Sequence, residues 1–217
     1  DDGHEAVRLA QNAPVQETRE LIPEVTCKEA YHIPGSGKKI AVLDLGCRKS
    51  ILKSLQNRGA DLYVYPYGTP ADVILADKPQ ALFLTNGPGY PFAAPKAIET
   101  VKNILGTIPV QGVCMGTEII AAALGGEVEK LKLGHRGASQ PVKFSDGSVA
   151  VTFQGHGYAV IGDTLPEGCE ISCVNLNDHT VEGFINNDLG VYCVQFHPEH
   201  DAVHDGAEKP IYDIMYR

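Results

Sequence analysis

Gly112-Val113-Cys114-Met115-Gly116 sets a thiol between two glycines, where the apolar run IPVQGVC gives way to TEIIAAALGG. A G-x-nucleophile-x-G spacing at a strand-to-helix junction is that of a nucleophile elbow, a turn too tight for a Cβ on either side of the reactive residue. A thiol there meets the free N–H groups and the positive dipole end of a helix. The expectation is a lowered pKa, a thiolate, and N–H groups placed to stabilise an oxyanion. Taken alone, the elbow also fits a buried structural cysteine.

A cysteine nucleophile needs a base, and the base needs a group to orient it. VYCVQFHPEH supplies both types: an apolar strand ends, and His197 and Glu199 follow. His197 is far from Cys114 in sequence, so any partnership must be tertiary. By itself a strand-end histidine satisfied by its neighbours reads as well. The third feature is Asn86-Gly87-Pro88-Gly89, after the apolar run ALFLT. A loop there sits at the carboxyl edge of a parallel sheet, where ligands bind, although a tight turn alone reads the same.

These residues need a scaffold, and the pattern from residue 38 onward provides one. KIAVLDLG, DLYVYPY, ALFLTNGPG and IPVQGVC read as buried strands. Between and after them lie RKSILKSLQNRG, PADVILAD, PKAIETVKNILG and TEIIAAALGG. The first is apolar at helical spacing and closed by Gly59; the second and third carry proline at the start; the last stops at a glycine pair. The βαβα alternation predicts an α/β fold, a mostly parallel central sheet with helices on both faces. Beyond residue 126 the chain turns strand-rich: VEKLKL, PVKFSDGSVAVTF with an Asp-Gly hairpin signal, GYAVI, EISCVNL, TVEGFIN and VYCVQF. This half is expected to extend the sheet. Residues 1–37 are polar, lack sustained periodicity, and read as a lead-in from a missing N-terminal domain, with 38–217 as the domain proper.

Composition narrows the function classes. The 217 residues are 43% hydrophobic and 21% charged, enough to bury a core. No apolar run spans a membrane and no signal peptide is visible, so no membrane partner is expected. The net charge of −9 argues against nucleic acid, which would require clustered lysine and arginine. Six scattered cysteines without a secretion signal predict reduced thiols, and Cys169 and Cys173 have no second ligand pair beside them to make a metal site. A cytoplasmic chain without metal is expected, although His200 and His204 stand four apart, a spacing that suits zinc on a helix.

The elbow, the NGPG loop and FHPE, in that order, resemble the class I glutamine amidotransferases. EVTCKEAY, LDLGCRKSILKSLQNRGADLYVYP, FLTNGPGYP, LKLGHRGASQPV and VNLNDHTVEG narrow the resemblance to the glutaminase subunits of carbamoyl phosphate synthetases. The likeness runs from about residue 24 to the end. It implies a flavodoxin-like core, a Cys114–His197–Glu199 triad, and a glutamyl thioester on Cys114. It also implies an oxyanion hole from the backbone N–H groups of Gly89 and Met115. Glutamine would be held by Gly87, Gly89, Met115, Glu118, Gly155, Gly157 and Tyr158. The ammonia released would pass to a large synthetase subunit; ATP and Mg²⁺ belong to that partner, and no cofactor is implied for this chain. The resemblance also puts GHRG in a loop near that partner.

The pattern departs at three places. The family usually carries Cys-Leu-Gly-His-Gln at the elbow and Gln-Asn-His-Gly-Phe in the later strand. Here Thr117 and Glu118 follow Gly116, and Gly155 precedes His156. An ionised Glu118 would raise the thiol pKa and repel a substrate carboxylate. Two alternatives follow: a cysteine amidase for another γ-glutamyl substrate, or a catalytically weak pseudo-amidotransferase that scaffolds a synthetase.

Overall fold

The computed structural model describes residues 3–13 and 19–199. In chain order the helices are α1 (Gly3–Gln11), α2 (Ile22–Val25), α3 (Lys49–Asn57), α4 (Ala71–Ala76), α5 (Pro95–Ile104) and α6 (Met115–Ala123). The strands are β1 (Tyr31–Ile33), β2 (Lys39–Asp44), β3 (Asp61–Pro66), β4 (Ala81–Leu84), β5 (Val110–Val113), β6 (Val128–Phe144), β7 (Val149–Val160), β8 (Glu170–Asn175), β9 (Val181–Asn186) and β10 (Val191–Val194). All ten strands form one sheet in the order β1-β3-β2-β4-β5-β10-β9-β8-β6-β7. The block β3-β2-β4-β5-β10 is parallel, and the strands outside it pair antiparallel. The α/β alternation predicted from residue 38 is therefore present, and the strand-rich second half does extend the sheet.

The parallel strands are apolar throughout because both of their faces are covered, and successive side chains point to opposite faces. Ile40 and Val42 of β2 pack with Ile51 and Leu55 of α3. Ala41 and Leu43, one residue out of phase, pack into the cluster containing Ile74 of α4, Val101 and Ile104 of α5, and Ile119 and Ile120 of α6. Each such aliphatic side chain contributes about 1.5–3 kcal/mol on burial. Truncating Leu55, which is fully buried, to alanine would cost about 2–5 kcal/mol.

Two features depart from the segment-by-segment expectation. VEKLKL and PVKF, read as separate strands, are the two ends of the 17-residue β6. GHRG, expected in a loop, lies inside that strand. Its pairing with β7 shifts register between Lys130 and His135 and again between Gly137 and Gln140, and Gly134 and Gly137 have positive φ. These bulges let one long strand bend without ending. In addition, part of the stretch read as a lead-in joins the sheet: β1 pairs with β3 as an edge strand, and Ile22 is buried in the main core.

The carboxyl ends of the parallel strands are tied together by side chains. Asp44, closing β2, accepts N–H bonds from Cys27 (2.7 Å), Gly46 (2.9 Å) and Cys47 (2.7 Å). Asn86, beyond β4, accepts the Arg48 N–H at 3.0 Å and donates to the Gly46 carbonyl at 3.2 Å. The loop holding Gly87 and Gly89 is thereby fastened to the turn entering α3.

Candidate active site

Cys114 joins β5 to α6 with φ +56° and ψ −114°. A side chain rarely adopts positive φ, and such a conformation persists only where the surroundings enforce it. The two elbow glycines show how. A Cβ on Gly112 would lie 2.6 Å from the Gly116 carbonyl carbon, and one on Gly116 would lie 2.6 Å from the Leu84 oxygen. The start of α6 therefore presses directly on β4 and β5, and no larger residue fits at either site. The Cys114 N–H donates to Val194 at 2.9 Å, while its carbonyl accepts from Thr117 (3.0 Å) and Glu118 (3.3 Å). Thr117 Oγ1 donates to the Val194 carbonyl at 2.5 Å, with Gly112 O a longer alternative at 3.2 Å. Thr117 thus clips the elbow to β10, the strand that leads into His197.

β10 lies beside β5, parallel and in register, Val194 opposite Val113. Cys114 and His197 consequently leave adjacent strands at the same edge of the sheet. His197 is buried, and its N–H donates to the Phe153 carbonyl at 2.9 Å. Its Nδ1 lies 2.9 Å from Glu199 Oε1, with both side chains buried. A carboxylate at Nδ1 holds the proton there and leaves Nε2 as the acceptor, the tautomer a general base requires.

The thiolate expectation does not hold for the resting site. Burial pushes the Cys114 thiol well up, an ionised Glu118 would add to this, and the Met115 N–H offsets only part of it. Desolvation outweighs the helix terminus here because the thiol is only 5% exposed. A resting thiol of this kind depends on a base at the moment of attack.

Cys114 lines a cavity of about 300 Å³ whose wall also includes Gly87, Gly89, Met115, Glu118, Gly155, Gly157 and Tyr158. All the residues expected to hold substrate thus line one space with Cys114, whereas His197 and Glu199 are not part of its lining. Gly155 leaves room: nothing stands within 4 Å of where its Cβ would be. Sequence reasoning missed the cationic side of the wall, formed by Lys130, Lys132 and Arg136 of β6. The alternation of VEKLKL was the available signal, since residues two apart share a strand face. It also missed Gln195, whose Nε2 donates to Glu118 Oε1 at 2.8 Å. No local pattern connects those two residues.

Donor atoms of His135, His156 and Glu182 lie within 4.8 Å of one another, a grouping the sequence did not suggest. Their nitrogens already have partners. His135 meets Asp178 (2.9 Å) and Glu182 (3.3 Å), and His156 meets the Tyr158 carbonyl (2.7 Å) and Gln154 (2.9 Å). The set is a hydrogen-bonded network rather than an open ligand shell. The His200–His204 pair lies outside the described residues. All six cysteines are free, and no helix among the described residues is long and apolar enough to cross a membrane.

The sheet is doubly wound, with a cysteine elbow at one strand end and a buried His–Glu pair at the next. The chain belongs to the class-I glutamine amidotransferase family, whose model matches residues 41–213. It is 46% identical over 213 residues to the carbamoyl phosphate synthase small chain of Methanosarcina acetivorans, covering 93% of this chain and 58% of that one. It is 42% identical over 182 residues to the pyrimidine-specific small chain of Bacillus subtilis, covering 83% and 50%. The chain thus spans little more than half the length of these relatives. Solved structures share the fold. One is a glutamine amidotransferase from Thermotoga maritima, with TM-score 0.61, 16% identity, and coverage of 76% of this chain and 77% of that one. Another, from Thermoplasma acidophilum and described as a putative GMP synthase component, has TM-score 0.69, 21% identity, and coverage of 83% and 93%.

Proposed function

We propose that this chain is the glutaminase part of a carbamoyl phosphate synthetase, hydrolysing glutamine and passing ammonia to a large synthetase subunit. The observation that carries the reading is the elbow thiol on a cavity wall, with the His197–Glu199 pair at the adjacent strand end. Cys114 Sγ attacks the side-chain amide carbon as His197 Nε2 takes the thiol proton. The tetrahedral oxyanion is met by the Gly89 and Met115 N–H groups, each donor of this kind being worth about 10²–10³ in rate. The C–N bond then breaks, His197 returns the proton to the departing nitrogen, and ammonia leaves a glutamyl thioester. Water, deprotonated by His197, attacks the thioester and releases glutamate and the free thiol. Glu199 holds His197 in its tautomer and stabilises the imidazolium. ATP and Mg²⁺ chemistry belongs to the synthetase partner in this reading.

The test is ammonia release from glutamine by the full protein, with and without a large synthetase subunit. Loss of that release by about 10³-fold or more in Cys114→Ala is the expected result. Absence of ammonia and of a trapped thioester, even with that subunit present, overturns the proposal and leaves a scaffolding role. Gly155 and Glu118 motivate a second reading, an amidase for another γ-glutamyl substrate. Turnover of such a substrate in preference to glutamine would select it.

A further inference from the structure

Residues 19–26 cross the carboxyl edge of the sheet and come up against the glycine loop beyond β4. Thr26 Oγ1 donates to the Asp44 carbonyl at the end of β2 (2.6 Å) and accepts the Tyr67 N–H just beyond β3 (3.0 Å). Ile22 is buried in the main core. Leu21, half-buried, lies on Gly89. A Cβ built on Gly89 would stand 3.7 Å from Cβ and Cδ1 of Leu21 and 3.9 Å from the Arg19 oxygen. Gly89 has φ +99°. A glycine is conformationally permissive, so the direction of its N–H must be set by what packs on it. The other end of the loop is seated on the β2–α3 turn, where a Cβ on Gly87 would lie 2.3 Å from the Leu45 oxygen.

A side-chain latch holds Leu21 in place. Glu20 is exposed, yet its Oε1 accepts the O–H of Tyr67, a residue only 6% exposed and part of the main core. Tyr67 therefore grips the crossing segment twice, by its N–H at Thr26 and by its O–H at Glu20, on either side of Leu21 and Ile22. A hydrogen bond to a carboxylate is charge-assisted and stronger than a neutral pair. We infer that the Tyr67–Glu20 latch is a positioning device for the oxyanion hole, keeping Leu21 against Gly89 so that the Gly89 N–H stays aimed at the developing oxyanion. The inference rests on the glutaminase reading, in which Gly89 is one of the two donors. Neither Tyr67 nor Glu20 is part of the cavity lining, so the latch acts through the loop and not on substrate. An oxyanion donor matters most when charge develops on the amide oxygen. A loosened donor thus slows thioester formation far more than it weakens ground-state binding.

The experiment is steady-state and single-turnover kinetics of glutamine hydrolysis by the full protein with a large synthetase subunit. The variants are Tyr67→Phe, which keeps the buried ring, Glu20→Ala, Glu20→Gln, and the pair Tyr67→Phe with Glu20→Ala. Tyr67→Phe and Glu20→Ala are each expected to lower kcat and the rate of acid-trapped thioester formation about tenfold, part of the loss that follows complete removal of a donor. KM, and glutamine affinity measured by calorimetry in a Cys114→Ala background, should change less than about twofold. The paired variant loses no more than either change alone, because both break one bond. Glu20→Gln keeps an acceptor oxygen and recovers most of the rate. Unchanged thioester formation in the single variants overturns the inference, as does a loss of glutamine affinity equal to the loss of rate, or a loss in Tyr67→Phe that Glu20→Ala does not share. In each of these outcomes the unsubstituted protein still releases ammonia, and the glutaminase reading stands. An unsubstituted protein that releases none overturns both.

Discussion

His135 and Glu118 are both buried ionisable groups, yet their surroundings differ in kind. His135 lies between Glu182 at 3.3 Å and Asp178 at 2.9 Å, and Asn175 donates to the same Glu182 oxygen at 2.9 Å. Glu182, then Asp178, hold the imidazole proton and push its pKa up to about 9. Charge there is compensated inside the protein. Glu118 has only the Gln195 amide, and its second oxygen is buried with no partner among the described residues. Glu182 also keeps one unpartnered oxygen, but a cation stands beside it and it is not part of the cavity wall. Compensated charge locks β6 to the β8–β9 region, whereas Glu118 is left with one unpartnered oxygen.

The largest expected effect tests the compensated side. His135→Ala leaves Glu182 buried without its cation and should cost about 3–5 kcal/mol in thermal or urea unfolding. The folded-state pKa lies above the unfolded one. The His135 contribution is therefore fully present below about pH 6.5 and lost as the pH rises through about 9. The cost of the substitution should shrink over that window. A cost equal at both ends would break the comparison, because His135 would then act by packing alone.

Gly116→Ala tests the frame that holds the uncompensated side. The new Cβ meets the Leu84 backbone oxygen, which has little room to retreat. Destabilisation of up to about 3 kcal/mol is expected in urea, together with loss of ammonia release as the elbow shifts. Unchanged stability would mean that the helix start is less tightly seated than its contacts indicate.

The last effect has the opposite sign. A carboxyl whose pKa is raised on folding destabilises the protein as pH climbs from the ordinary carboxylate range to about 8, because the unfolded state releases the proton first. Glu118→Gln should thus be near neutral at acid pH and stabilising above about pH 8. Urea midpoints at the two pH values sharpen the contrast. Equal destabilisation at both would mean that Glu118 is compensated after all.

Much of this molecule was legible locally. The alternation of apolar runs with helical spacing marked β2 through α6, and the glycines around Cys114 marked the elbow, because only a close backbone approach requires both. The bulged course of β6 was not legible. Gly134 and Gly137 look like loop glycines until the pairing with β7 shows them as register shifts. The edge strand Tyr31–Ile33 was missed because three half-exposed residues carry no periodicity; its partner β3 creates it.

Residue types and their order were enough to mark a cysteine elbow, a strand-end His–Glu pair and a glycine loop, since these reflect short-range turn sterics. Protonation was not determined that way. A helix N-terminus argues for a thiolate and a glutamate argues for an anion, yet burial reverses both at Cys114 and Glu118. Desolvation depends on what covers a group from every side, and that covering comes from β4, β5, β7 and β10, brought together only by the folded sheet.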